Sequence, residues 1–283
     1  MKTLCFGIFI GSLAAPFLVQ AKNEFPEELK ERLAANDFTI NRRLYSEQAR
    51  GENTPDDTYE MILGARLLPT LKGLGPESIW FDMGAGEANA QMQFFKDATF
   101  PKIQKAVALS FSRPSSAVLD AFVKENAGRF EYVANGYIED VYKSGQLQAY
   151  KARVSVITDV FGPGSYSPHL DEVMQIYLEL LAVGGKLHMN IPMGYFGSSP
   201  FLCTEFCETL GIPKDDDFGS DPSGWLAGIK GVKVIALEMT GLNDQSWAVT
   251  LEKIRSVALV PKLKLEKFEA KHSPPGRRYQ ILK

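Results

Sequence analysis

The sequence predicts an α/β fold, a mostly parallel sheet with helices on both faces. Three observations predict it. The stretch Ile79-Trp80-Phe81-Asp82-Met83-Gly84-Ala85-Gly86-Glu87-Ala88 is an apolar run that ends in an acid, a Gly-x-Gly turn and residues able to open a helix. A buried parallel strand delivers its carboxyl end to a small ligand in this way. Strand-length apolar runs then alternate with amphipathic helical periods from Ser78 to Ile191, and that rhythm builds a parallel sheet. Finally, Val232 to Met239 and Trp247 to Ile254 read as two strands joined by the short polar segment Gly241 to Gln245. That spacing makes a hairpin, so the last strand enters the sheet antiparallel.

The elements follow in order. Phe25 to Ala35 reads as a short amphipathic helix, and Thr39 to Pro55 as polar surface chain. Asp56 or Asp57 can cap a helix running to about Lys72, with Tyr59, Ile62, Leu63, Leu67 and Leu71 on one face. Gly73 to Pro76 ends it. Ser78 to Asp82 is the first strand and Ala88 to Asp97 its helix. Lys105 to Ser110 is the second strand, and Ser115 or Ser116 can cap a helix reaching Asn126. Phe130 to Ala134 is the third strand, and Arg153 to Thr158 the fourth, ending in Asp159. A helix from Pro168 to Leu181 carries Leu170, Val173, Met174, Tyr177 and Leu181 at burial spacing. Gly184-Gly185 is read as its stop, Lys186 to Ile191 as the fifth strand, and Phe201 to Leu210 as a further helix.

Bulk properties bound the function. The chain of 283 residues has a formal net charge of −3, which argues neither for nor against nucleic acid. It carries no recognisable nucleic-acid module, so nucleic acid is not the expected partner. Lys2, the mostly apolar run from Leu4 to Val19, and Val19-Gln20-Ala21 fit a cleavable signal peptide, with a mature start at Lys22. An exported protein, periplasmic or secreted, is expected, with no membrane segment once the leader is gone. Cys203 and Cys207 stand four apart on a predicted helix and share a face, as a local bridge or as two buried thiols. There is no Cys/His cluster, and no metal is expected. Asp215-Asp216-Asp217 with Asp221 lacks calcium-loop spacing. It reads as a solvated acidic loop or as a lid with Trp225 beneath. The segment after Pro261 is basic and reads as a solvated end.

The order of acid and glycines indicates the ligand. A dinucleotide would put its pyrophosphate over this turn, where Asp82 would repel it. The small residue that fingerprint wants for close packing is replaced by Asn89. A cationic ligand has the opposite preference. With Asp82, Gly84 and Gly86 in place, the stretch resembles motif I of the class I S-adenosylmethionine-dependent methyltransferases, Asp-x-Gly-x-Gly-x-Gly. It departs at Ala88, where a third glycine is usual. Leu180-Leu181-Ala182-Val183-Gly184-Gly185-Lys186-Leu187 resembles that family's Leu-Leu-Lys-Pro-Gly-Gly-x-Leu, at the expected place after the fourth strand. The resemblance spans about Asp56 to Ile254 and implies a Rossmann-like sheet of seven strands with one reversed near the C-terminus.

The resemblance also implies a site. Asp82, Gly84, Ala85 and Gly86 would cradle the cofactor. Ser110 stands where the family has an acid for the ribose, and a hydroxyl takes one such bond where a carboxylate takes two. Ser110 lies farther from Asp82 than the usual step, which places an insertion around Thr99-Phe100-Pro101. Phe111 packs either in the core or on the adenine or ribose. After the third strand Tyr137 replaces the usual acid, so Glu139 or Asp140 would serve from nearby, or cap a helix, and Ile138 would lie against the adenine. Asp159, before the sharp loop Gly162-Pro163-Gly164, resembles the motif IV acid or amide and would hold the cofactor's ammonium or the substrate's nucleophile. Tyr166 and His169 follow in the same loop as catalytic candidates. His169 would take a proton from an attacking hydroxyl or amine, or sit as a surface residue.

The leading expectation is therefore S-adenosylmethionine-dependent methyl transfer to a small-molecule or protein acceptor by an exported protein. Residues 1–21 are the leader, 22–55 an N-terminal extension, 56–256 the methyltransferase domain and 257–283 a basic tail. The alternative is a binding protein that kept the fold and lost turnover, which Ser110 and Ala88 favour. An NAD-dependent enzyme is disfavoured by the acid beside the glycines.

Overall fold

A computed structural model describes residues 59–111, 113–134, 136–167, 169–192, 222–240, 246–269 and 276–281. The segment read as a leader, the helices read at Phe25 to Ala35 and at Phe201 to Leu210 with Cys203 and Cys207, and the acidic run with Asp221 lie outside the described residues. Two short helices come first, α1 (Glu60–Leu63) and α2 (Leu67–Lys72). They lead into β1 (Ile79–Met83), α3 (Asn89–Lys96), β2 (Lys105–Ser110), α4 (Ala117–Glu125), β3 (Phe130–Ala134) and α5 (Ile138–Lys143). After a 3-10 turn at Gln148–Tyr150 come β4 (Val154–Asp159), α6 (Pro163–Tyr166), α7 (Leu170–Leu180) and β5 (Leu181–Pro192). The remaining elements are α8 (Ser223–Gly228), β6 (Val232–Thr240), β7 (Ser246–Lys253), β8 (Leu263–Glu269) and β9 (Gly276–Ile281).

Seven strands form one sheet in the order β3-β2-β1-β4-β5-β7-β6. Only β7 runs against its neighbours β5 and β6; the rest are parallel. This is the Rossmann-like class I methyltransferase sheet that the resemblance implies. The chain leaves β1 toward β2 and β3, then returns to the other side of β1 at β4. The carboxyl ends of β1 and β4 thus flank the switch point where such sheets open a crevice.

Alternation along each strand divides the core between the two faces. Phe81, Met83, Val107, Leu109 and Ile157 pack under α7 and its neighbours. Trp80, Ala106, Ala108 and Val156 pack with Ile62, Leu67, Leu71 and Phe94 on the other face. Ser116 caps α4, its hydroxyl accepting from the Leu119 N–H at 3.3 Å. Phe100, in the segment read as an insertion, is buried among Trp80 and Phe94.

Three elements differ from the sequence reading. The helix expected to reach Lys72 breaks after Leu63, where Gly64 takes φ 81°. Pro69 is the cause: its ring would collide with the carbonyl four residues earlier, so α2 starts afresh with Pro69 in its first turn. The pair Gly184-Gly185 does not stop a helix. α7 already ends at Leu180, and the register with β4 jumps from Val154↔Leu181 to Val156↔Lys186. The glycines serve that irregularity, Gly184 by its φ of 84° and Gly185 because a Cβ there would meet the Val154 carbonyl at 2.8 Å. The buried Lys253 ammonium donates to the Leu181 carbonyl at 2.8 Å and pins the same place. Lastly, the chain after Pro261 is not a free end, since β8 and β9 pair as an antiparallel hairpin. Tyr279 of β9 is buried, its hydroxyl 3.5 Å from the Ser167 carbonyl.

Candidate functional site

The glycine turn is built by its backbone. The N–H groups of Gly84 and Ala85 both donate to the Leu109 carbonyl, at 2.8 and 3.0 Å, which folds the end of β1 back against β2. Gly84 and Gly86 take φ values of 87° and 55°. Ala88, where the family has its third glycine, takes φ 58° as well. The substitution therefore keeps the glycine geometry, at a strain of about 1–2 kcal/mol for a residue with a Cβ.

Asp82 lies behind this turn, fully buried. Its Oδ2 accepts from the Tyr59 hydroxyl at 2.6 Å and its Oδ1 from the Thr158 hydroxyl at 2.7 Å. Asp159, on the adjacent strand, is equally buried. Its Oδ1 accepts from the Gly162 N–H at 2.7 Å; its Oδ2 accepts from the Gly164 N–H at 2.8 Å and the Tyr177 hydroxyl at 2.7 Å. Burial pushes both acids up to about 6, against the pull of their hydrogen bonds, and the charge of Asp82 adds to the rise at Asp159. Each carboxylate oxygen of the pair thus already has a partner. Asp82 and Asp159 shape the two turns at the crevice, and in this conformation neither is exposed to a ligand.

The loop after β4 closes over that end. Phe161, at φ 50°, donates its N–H to the Asn190 side-chain carbonyl at 2.8 Å. Gly162 packs directly on the glycine turn, where its own Cβ would meet the Met83 carbonyl oxygen at 2.2 Å.

The open part of the crevice lies toward β2 and β3. A small cleft there is lined by Leu109, Ser110, Val133, Gly136, Ile138, Val141 and Pro163. Phe111 is not in the core. It is 43% exposed and meets the 42% exposed Tyr137 edge to face, ring centres 5.2 Å apart. Glu139 is buried, one oxygen accepting from the Ser167 hydroxyl and the other without a hydrogen-bond partner.

The structure therefore brings Asp82, Gly84, Ala85, Gly86 and Asp159 together at one end and Ser110, Phe111 and Ile138 at the other. The His169 backbone N–H donates to the Ser167 hydroxyl at 3.1 Å, the same hydroxyl that bonds Glu139. Tyr166 ends α6, and its side chain lies outside the description. His169 is exposed at the start of α7 and makes no capping bond there. Sequence reading passed over Tyr59 and Tyr177 as spaced core residues, since a helical period cannot tell a buried ring from a buried hydroxyl with a task. It also passed over Thr158 and Asn190, whose strand-end positions were their one signal. Among the described residues no cluster suits a metal ion and no helix is long and apolar enough to cross a membrane.

No protein-family model and no curated protein matches the chain. Among solved structures it is similar to an rRNA methylase from Streptococcus thermophilus, at 15% identity and TM-score 0.41, over 66% of this chain and 92% of that one. It is also similar to the CurJ carbon methyltransferase, at 14% identity and TM-score 0.46, over 84% of this chain and 63% of that one. A geranyl diphosphate methyltransferase solved with GPP and sinefungin gives 11% identity and TM-score 0.41, over 66% of this chain and 75% of that one. By its own strand order and single reversed strand, this chain has the fold of the class I S-adenosylmethionine-dependent methyltransferases.

Proposed function

We propose that the protein binds S-adenosylmethionine across the carboxyl ends of β1 to β4 and transfers its methyl group to a small-molecule or protein acceptor. The observation that carries this reading is the turn from Gly84 to Ala88. Three left-handed residues, one of them an alanine under strain, stand directly above a buried acid and beside an apolar cleft. Phe111 and Tyr137 offer faces for a flat heterocycle, Ile138 and Leu109 an apolar bed, and Ser110 a hydroxyl for a ribose oxygen. Ionised Asp82 and Asp159 give that end a negative field suited to an ammonium and a sulfonium. When bound, the cofactor supplies the activated methyl group; the chain's residues orient it and exclude water.

The test is calorimetric titration of the protein with S-adenosylmethionine and S-adenosylhomocysteine, beside the Gly86→Val variant. Saturable binding that the variant loses supports the reading, whereas no heat from a folded sample ends it. A second reading, a repurposed binder without turnover, is favoured by the closed end of the crevice. Asp82 and Asp159 are buried with their oxygens in use. Cofactor binding without methyl transfer to any supplied acceptor would favour it. Export is proposed from the leader, which sets the cofactor's origin inside cells against the protein's destination. Mass spectrometry of the N-terminal peptide from cell fractions tests for a start at Lys22.

A further inference from the structure

Asp82 sits in a buried polar row that crosses four strands. It pairs in register with Thr158 of β4, Thr158 with His188 of β5, and His188 with Thr250 of β7. All four are 0–2% exposed. Within the row the two hydroxyls on Asp82 are not equivalent. Thr158 is fixed by its own strand and also accepts from the Trp80 indole N–H at 2.9 Å. Tyr59 belongs to a different layer. It precedes α1, packs its ring among Ile62 and Trp80, and drops its hydroxyl onto Asp82.

We propose that Tyr59 is a positioning residue for a cationic ligand, holding the Asp82 carboxylate fixed and ionised behind the glycine turn. For the ligand's identity this rests on the S-adenosylmethionine reading; the coupling of Tyr59 to Asp82 stands apart from it. A buried carboxylate is neutralised unless it is paired or hydrogen-bonded. Among the described residues, the groups facing Asp82 supply no cation. Asp159 on β4 is a second acid, Gln91 of α3 is a neutral amide, and Tyr132 of β3 is a phenol near Tyr59. His188 stays uncharged, pushed down to about 3 by burial, between the hydroxyls of Thr70 and Thr250. The charge on Asp82 therefore depends on the donors Tyr59 and Thr158. Tyr59 is the donor that a change in the helical layer can withdraw.

The test uses Tyr59→Phe, which keeps the ring in the core and removes the donor. The ionisation midpoint of Asp82 is followed by carboxyl-carbon NMR in the wild-type protein and the variant. The expected result is a rise of about one pH unit or more in the variant, a tenfold change in the ionisation constant. Relative to wild type at the same pH, S-adenosylmethionine affinity in the variant should fall about two- to tenfold at pH 7 and recover by pH 9. An unmoved midpoint, or a loss of affinity equal at every pH, overturns the proposal. If the wild type binds no S-adenosylmethionine, the ligand reading fails and the NMR midpoint alone decides the coupling. A thermal-stability cycle with Asp82→Asn covers a poorly folded single variant: Tyr59→Phe should cost much less when combined with Asp82→Asn than alone, and equal costs would overturn the proposal.

Discussion

Gly84 and Gly162 touch backbone to backbone. A Cβ on Gly84 would lie 2.4 Å from the Gly162 Cα, and a Cβ on Gly162 would lie 2.6 Å from an Asp159 carboxylate oxygen. The end of β1 and the loop after β4 therefore interlock with no side chain between them, and Asp159 fastens the interlock by accepting from Gly162 and Gly164. Any movement that opens this end of the crevice must separate the two glycines.

Gly162→Ala should then be damaging out of proportion to one methyl group. The contacts are backbone and a buried acid, which cannot step aside, so a loss of about 2–4 kcal/mol is expected. Gly84→Ala adds the left-handed penalty of φ 87° to a similar clash. Gly86→Ala is the control: nothing lies within 4 Å of its Cβ, and only the strain of φ 55° is paid. Denaturant unfolding of the three variants checks the order. Equal losses at Gly86 and Gly162 would mean the interlock is absent in solution.

The glycine turn was legible because its cause is local. A strand end, a tight turn and a helix start follow one another in the sequence, and β2 and β3 were readable to the residue for the same reason. The interlock was not legible, because Gly162 is far along the chain from Gly84 and nothing in its own neighbourhood says what it will lie against. Asp82 and Asp159 were read as ligand contacts from their places at strand ends. Their partners Tyr59 and Tyr177 come from helical segments whose apolar spacing hid the hydroxyls. Phe111 was open between core and ligand, and the ring it meets, Tyr137, comes from beyond β3, which its own neighbourhood in the sequence does not reveal.

Opposite pH effects should be separable in the buried polar row. Burial lifts the folded-state value of Asp82 from 3.8 to about 6, so the native protein binds more protons than the unfolded chain between those values. Its contribution is fully present below about pH 4 and is lost as pH rises to 6, on the order of 3 kcal/mol in all. His188 is lowered from 6.5 to about 3 by burial. Its contribution is present above 6.5 and lost as pH falls toward 3, by a few kcal/mol. Asp82→Asn should therefore lose stability relative to wild type at pH 4 and recover by pH 7. His188→Gln, which keeps a polar group between Thr70 and Thr250, should gain relative to wild type as the solution is acidified. Urea midpoints at pH 4, 5.5 and 7 read both effects, and parallel curves for wild type and either variant would refute that variant's assignment.

The exposed aromatic pair offers the cleanest separation of binding from folding. Phe111 and Tyr137 are each close to half exposed and meet edge to face, and each adjoins cleft-lining residues in the chain, Phe111 following Ser110 and Tyr137 standing between Gly136 and Ile138. Truncating a half-exposed ring removes little burial, so Phe111→Ala should move the melting midpoint by only about 1–2 °C. If the ring faces a bound heterocycle, the same change removes a stacking surface worth about 1–2 kcal/mol. Affinity for S-adenosylmethionine should then fall about five- to thirtyfold, with S-adenosylhomocysteine falling by the same factor because both carry the same heterocycle. Phe111→Trp should retain binding. Affinities unchanged in Phe111→Ala would remove the aromatic pair from the site. A loss confined to S-adenosylmethionine would move the pair to the methyl-bearing end, beside the interlocked glycines.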